Sequence, residues 1–157
     1  MLPAIYELSQ LKQWVTWQNE PDEKGDMTKV PYLAKRRASS TRPDQWLKYD
    51  VACKYARTFK RSGIGFVFNP DDPYVGIDLD DCIVNGQVLP WAQEIIDRLH
   101  SYCEVSPSGN GVKLWVRGNK PPKGIKALYE TCKIEIYGQA RYFTVTEQHL
   151  PGTPETI

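Results

Sequence analysis

The chain has 157 residues, with 20 basic against 19 acidic side chains, a formal net charge of +1 and a mean hydropathy of −0.51. This length makes one domain, or one domain and a small appendage, whose core needs no disulfide staples. The near-zero charge gives no global argument for nucleic acid, and no apolar run is long enough to cross a membrane. Cys53, Cys82, Cys103 and Cys132 form no CxxC pair and share the chain with only His100 and His149. They read as buried free thiols of a reducing cytoplasm, not as a zinc site.

Ile5, Leu8 and Leu11 at helical spacing predict a first helix over 3–12. Trp14-Val15-Thr16-Trp17 alternates as a strand, Asn19 to Asp26 is a polar turn, and Val30-Pro31-Tyr32 reads as an edge segment because proline donates nothing to a ladder. Lys35 to Thr41 is a basic loop in which Arg36 and Arg37, with Lys29 before them, offer contacts to a phosphate backbone or simply solvate the surface. Val51, Ala52, Tyr55 and Phe59 mark a helix over 49–60. Ile64–Phe68 and Tyr74–Leu79 follow as strands around Asn69-Pro70-Asp71-Asp72-Pro73, and their closeness predicts an antiparallel hairpin. Trp91, Ile95 and Leu99 give a helix from Pro90, followed by strands at Cys103–Ser106 and Val112–Val116. Residues 117–131 read as a Lys/Pro/Gly connection. Strands at 134–137 and 142–145 lie around Gly138-Gln139-Ala140. Leu150 to Pro154 reads as an extended tail.

Three stretches carry chemistry. In Ile77-Asp78-Leu79-Asp80 the period of a strand points both carboxylates to one face. Two like charges so close repel, and a divalent cation such as Mg²⁺ or Mn²⁺, a hard acceptor of oxygen ligands, removes the conflict. Ser106-Pro107-Ser108-Gly109-Asn110-Gly111-Val112-Lys113 brings two glycines, a hydroxyl and a cation together, which suits a phosphate cradle as well as a hairpin turn. Glu135 lies on the strand face opposite to Ile134 and Ile136, in a site or in solvent. Five acids and no base occupy 71–81, whereas six bases and one acid, Glu130, occupy 113–133. A carboxylate pole beside a cation pole suits a metal–phosphate substrate. For Lys120, Lys123 and Lys126 the simpler reading, a solvated loop beside Pro121-Pro122, is preferred.

These motifs in this order, together with Gly63 to Phe68, Lys29-Val30-Pro31-Tyr32, Ala38-Ser39-Ser40-Thr41 and Arg141-Tyr142-Phe143-Thr144-Val145-Thr146, resemble the archaeo-eukaryotic primase superfamily. Within it they are closest to the primase–polymerase domains of phage and plasmid replication. The resemblance implies an α+β fold, with an RRM-like, mainly antiparallel sheet and flanking helices. It makes residues 1–150 the catalytic domain, with a 1–60 N-terminal part, a 61–150 metal-site part, and a 151–157 tail leading to a further C-terminal region. It implies DNA-directed nucleotidyl transfer with Mg²⁺ or Mn²⁺ on Asp78, Asp80 and Glu135. Lys113 would contact the incoming nucleotide's phosphates. Ser108, with Gly109 and Gly111 of its loop, and Arg141 near the Gly138 turn are further candidate nucleotide contacts, Arg141 reading equally as a surface arginine paired with an acid. The partners implied are nucleoside triphosphates, a single-stranded DNA template and a fused or associated helicase, in a bacterial or phage-infected cytoplasm. Many members of the superfamily place histidine where this chain has Lys113, which can hold a phosphate as a point charge but has no acceptor nitrogen. Two other readings compete. One is a non-catalytic nucleic-acid-binding replication domain whose tryptophans stack bases. The other is a haloacid-dehalogenase-like phosphohydrolase with its nucleophile in Ile77 to Cys82.

Overall fold

Among the described residues, proline sets the start of two of the three α-helices. Pro3 opens α1 (Pro3–Ser9) and Pro90 opens α3 (Pro90–Leu99), where its missing N–H leaves no helical bond unmade. Between them lies α2 (Tyr49–Thr58), with Asp50 in its first turn and Arg57 in its last, each complementing the helix dipole. The computed structural model describes residues 1–129 and 132–157, so Glu130 and the side chain of Cys132 lie outside the described residues.

The strands form two five-stranded sheets. The first joins β1 (Trp14–Pro21), β2 (Met27–Leu33), β3 (Arg36–Arg37), β4 (Gly63–Val67) and β12 (Tyr142–Val145) in the order β12-β4-β1-β2-β3. The second joins β5 (Tyr74–Asp80), β8 (Cys103–Val105), β9 (Val112–Arg117), β10 (Ile125–Tyr129) and β11 (Cys132–Tyr137) in the order β10-β11-β5-β9-β8. A small hairpin, β6 (Ile83–Val84) with β7 (Gln87–Val88), stands apart. Every described pairing is antiparallel. The α+β class is therefore borne out. The run β5–α3–β8–β9–β11, with β5 between β11 and β9, gives the second sheet its RRM-like character. An all-antiparallel arrangement offers no doubly wound sheet of the kind the phosphohydrolase reading requires.

The expected hairpin does not form. β4 and β5 lie in different sheets, as do β11 and β12, so the chain crosses between the sheets at 68–73 and again at 138–141. The turn chemistry of Asn69 to Pro73 was legible; the partners of the flanking strands were not. β10 occupies part of the expected Lys/Pro/Gly connection, and Pro31 lies inside β2, opposite Trp17. Residues 151–157 run back along the domain. Leu150 is buried, the Tyr102 N–H donates to the Thr156 carbonyl at 3.0 Å, and the Ala4 N–H donates to the Glu155 carbonyl at 2.9 Å.

The alternation of β5, β9 and β11 divides the second sheet by face. Ile77, Leu79, Val112 and Leu114 pack with Ile134 and Ile136 against Ala92 and Ile96 of α3. On the other face, Tyr74, Trp115 and Tyr137 meet Phe66, Phe68 and Phe143 of the first sheet's core. Gly76 lies in this contact because a Cβ there would overlap the Phe68 and Phe143 rings. Cys82 and Cys103 are buried thiols, and Cys53 is half-buried.

Lys120, expected in solvent, has a side chain only 12% exposed and fastens both crossings. Its ammonium donates to the Asn69 carbonyl, to Asp72 Oδ1 at 2.7 Å and to the Gly138 carbonyl at 2.9 Å, using all three of its protons. Asp72 is equally occupied, accepting from Gln13 Nε2 at 2.6 Å and from the Asn69 and Tyr74 N–H groups at 2.9 and 2.7 Å. Lys120→Met keeps the stem and strands Asp72, so it should lower the unfolding free energy by about 3 kcal/mol. Urea unfolding checks this, and a loss below about 1 kcal/mol would count against the clamp.

Candidate functional site

Cross-strand register assembles the site. Glu135 of β11 is the partner of Asp78 on β5, and Asp78 in turn is the partner of Lys113 on β9. Directly paired residues share a face, so the row continues to Lys126 of β10 on one side and Glu104 of β8 on the other. Five charged residues, Lys-Glu-Asp-Lys-Glu, thus cross the whole sheet on the face turned toward the first sheet. Asp80, two residues along β5, stands on the same face opposite Lys133.

Asp78 and Lys113 form the tightest part of this row. Lys113 Nζ donates to Asp78 Oδ2 at 2.6 Å, and the two side chains are only 9% and 14% exposed, respectively. Asp78 Oδ1 is buried without a hydrogen-bond partner. The Lys113 ammonium also lies 4.5 Å from the centre of the Phe143 ring, within cation–π range. Lys126, whose side chain stays 70% exposed as expected, nevertheless reaches Glu135 Oε1 with its Nζ at 2.7 Å. Burial, and then the Asp78 charge, push the Asp80 carboxyl above the usual carboxylate range.

Asp78, Lys113 and Glu135 line a cleft of about 340 Å³ between the two sheets. The opposite wall comes from Lys29 of β2 and from Arg141, Phe143 and Thr144 at β12. Lys29 and Arg141, far from β5 in sequence, are thereby placed in one cleft with the carboxylates. Arg36 and Arg37 form β3 at the outer edge of the first sheet, and Arg37 pairs with Glu20 at 2.8 Å.

The glycine loop lies at the other end of the pair, against Asp80 and Asp81. Gly111 packs on β5, where an added Cβ would come within 2.9 Å of the Leu79 carbonyl oxygen, and its N–H donates to Ser106 Oγ at 3.1 Å. Asn110 Nδ2 donates to Asp81 Oδ1 at 2.9 Å. Ser108 shares a hydrogen bond of 2.9 Å with Ser106 and donates to Asn110. Gly109 has φ +82, a backbone that favours glycine. Ser108, Gly109 and Gly111 are thus organised as a turn beside Asp80, and they are not among the residues lining the cleft.

Among the described residues, no three acidic, cysteine or histidine side chains converge as a formed metal cage. Lysines hold two of the three candidate acids. The donor set nevertheless suits a hard divalent cation: three carboxylates on one face, one of them with a buried, unused oxygen.

Glu104 was missed in the sequence, although Tyr102-Cys103-Glu104-Val105 alternates so as to put it on the site face. It is fully buried and accepts from Tyr102 Oη at 2.7 Å and from the Thr146 N–H at 2.8 Å. Burial nevertheless raises its carboxyl pKa above the ordinary value. A folded-state pKa above the unfolded one favours the fold at low pH. That contribution is lost as pH rises from about 4.3 through the folded value. Glu104→Gln should therefore gain stability relative to the parent as pH is raised from 4 to 8. Urea midpoints of both proteins across that range measure the difference, and a pH-independent gap would contradict it.

No family model matches the chain. Across 157 residues and 96% of its length, however, it is 35% identical to a DNA primase-polymerase of Nitratiruptor phage NrS-1. The chain spans 21% of that relative. The resemblance carried by the motifs is thus borne out: nearly the whole chain is similar to a stretch of a phage primase–polymerase.

Proposed function

We propose that this primase–polymerase-like domain catalyses template-directed nucleotidyl transfer, with the cleft between its sheets holding the incoming nucleoside triphosphate. The observation that carries the proposal is the in-register row Glu135–Asp78–Lys113, facing Arg141 and Lys29 across the cleft. A carboxylate cluster and a set of cations on opposing walls match the two halves of a metal–triphosphate complex. The similarity to a phage primase–polymerase supports the same chemistry.

Asp78, Asp80 and Glu135 would hold Mg²⁺ or Mn²⁺, which would supply the Lewis acidity needed to activate a 3′-hydroxyl and to stabilise the departing pyrophosphate. The protein's own contribution is placement. The backing of α3 and the core behind Ile77 and Leu79 fix β5, so the carboxylates keep their spacing without rearrangement. Lys113, Arg141 and Lys29 present positive charge to phosphate oxygens in a partly desolvated cleft, where each contact counts for more than in water. Lys126 orients Glu135. The Ser106–Gly111 turn braces the Asp80 end of the strand. A single-stranded DNA template and a partner helicase acting with a longer chain belong to the same proposal. A binding module that merely held single-stranded DNA would need no divalent ion.

The two aspartates should separate stability from activity. Asp78→Asn leaves the buried Lys113 ammonium without its counter-charge and should cost about 3 kcal/mol. Asp80→Asn removes a carboxylate that burial and Asp78 both oppose, so its urea midpoint should rise at neutral pH. Both variants should lose at least about a hundredfold in primer extension on a single-stranded template with Mn²⁺. Extension at the parental rate by either variant would remove that residue from the metal site.

A further inference from the structure

We propose that Lys113 is a built-in counter-cation that a divalent ion must outcompete at Asp78, and that it passes its charge to the triphosphate, so that metal and nucleotide bind cooperatively. This rests on the nucleotidyl-transfer reading above and goes beyond it, because it assigns the order and coupling of binding.

The geometry carries the inference. Lys113 Nζ is 2.6 Å from Asp78 Oδ2, so a cation approaching Asp78 meets a positive charge already bonded to one of its ligand oxygens. The other oxygen, Oδ1, is buried and has no partner, leaving half of the carboxylate's capacity unused. Lys113 has little alternative on its own side of the sheet. Glu104, its partner on β8, is engaged with Tyr102 and Thr146. The cleft lies on the open side, walled by Arg141 and by Phe143, whose ring lies 4.5 Å from the ammonium and can hold it away from Asp78. A lysine can make that change of partner by rotating a flexible stem, with its strand fixed, and needs no bidentate geometry.

Charge counting points the same way. Asp78, Asp80 and Glu135 against Lys113 and Lys126 leave one net negative charge, which is little to hold a dication. An arriving triphosphate offers Lys113 a stronger anion. Once the ammonium turns to it, Asp78 is released to the metal and the carboxylate cluster gains a unit of negative charge. Each ligand thereby raises the affinity of the other by the same factor.

Mn²⁺ binding, followed by the electron paramagnetic resonance signal of the free ion, tests this on the whole chain without template. Lys113→Met should bind Mn²⁺ at least about tenfold more tightly than the parent, because the competing charge is gone. Adding dATP should tighten Mn²⁺ binding by a larger factor in the parent than in Lys113→Met. The thermal midpoint of the variant should also rise further on adding Mn²⁺ than that of the parent. Lys113→Gln serves if the methionine variant does not fold. Asp78→Asn is the control and should abolish binding. Equal or weaker Mn²⁺ affinity in the lysine variants, with binding still dependent on Asp78, overturns the proposal and leaves the metal reading standing. Absence of Asp78-dependent Mn²⁺ binding in every protein overturns both.

Discussion

The cleft exists because two sheets are held at a fixed separation, and one buried ammonium holds the two places where the chain passes between them. Lys120 bonds to Asn69 and Asp72 in the first crossing and to Gly138 in the second. β5 begins just after one crossing and β11 ends just before the other, so the clamp fixes the neighbouring strands that carry Asp78 and Glu135. A buried ion pair is poor at adding net stability but demanding in geometry. Here that demand is met by six hydrogen bonds shared among Lys120, Asp72 and their neighbours. The stem of Lys120 packs on Gly138, where an added Cβ would approach it to 2.9 Å.

The charged row depends on this frame in a different way. Sheet register decides which side chains stand side by side, and a slip of one residue would turn every charge into the α3 core and every isoleucine into the cleft. The apolar alternation on one face of β5, β9 and β11 therefore enforces the pairing of Glu135, Asp78 and Lys113 on the other. The two adjacent acids at the centre of the row are each bonded by a lysine, Lys126 to Glu135 and Lys113 to Asp78, which lets these carboxylates sit half-buried without first binding an ion. Asp80 falls outside that compensation, and its raised carboxyl pKa registers the cost.

Much of this was legible locally. The two-residue spacing of Asp78 and Asp80, the isoleucines around Glu135 and the proline at the start of α3 each carry their meaning within a few residues. The partners of strands were not legible, because Asn69-Pro70-Asp71-Asp72-Pro73 has the same composition whether it closes a hairpin or turns the chain into another sheet. For the same reason spacing alone could show that Glu135 shares a face with something but not with what; only the resemblance to primase–polymerases grouped it with Asp78. Lys120 was misjudged because its burial is decided by distant chain. Lys120 and Lys126 look alike beside Pro121-Pro122, yet one is largely buried on Asp72 and the other stays exposed while pairing with a carboxylate of the next strand. Glu104 escaped notice because a lone acid in a short strand is ordinary, and only its complete burial makes it unusual.

Near-neutral overall charge and a charged site are compatible once charge is considered by location. The chain's 20 bases and 19 acids leave little field at a distance, so long-range steering of a polyanion is weak and recognition falls to short-range contacts. In the cleft those contacts are ordered: carboxylates on the β5 and β11 wall, Arg141 and Lys29 on the other, and Lys113 between them with a bond to the first and an opening to the second. A ligand bearing only negative charge would meet the acids as well as the cations. A bare dication would meet Lys113. The ligand that satisfies both walls carries a metal ion and a chain of phosphates together, and that joint requirement is the strongest selectivity the arrangement of charges imposes.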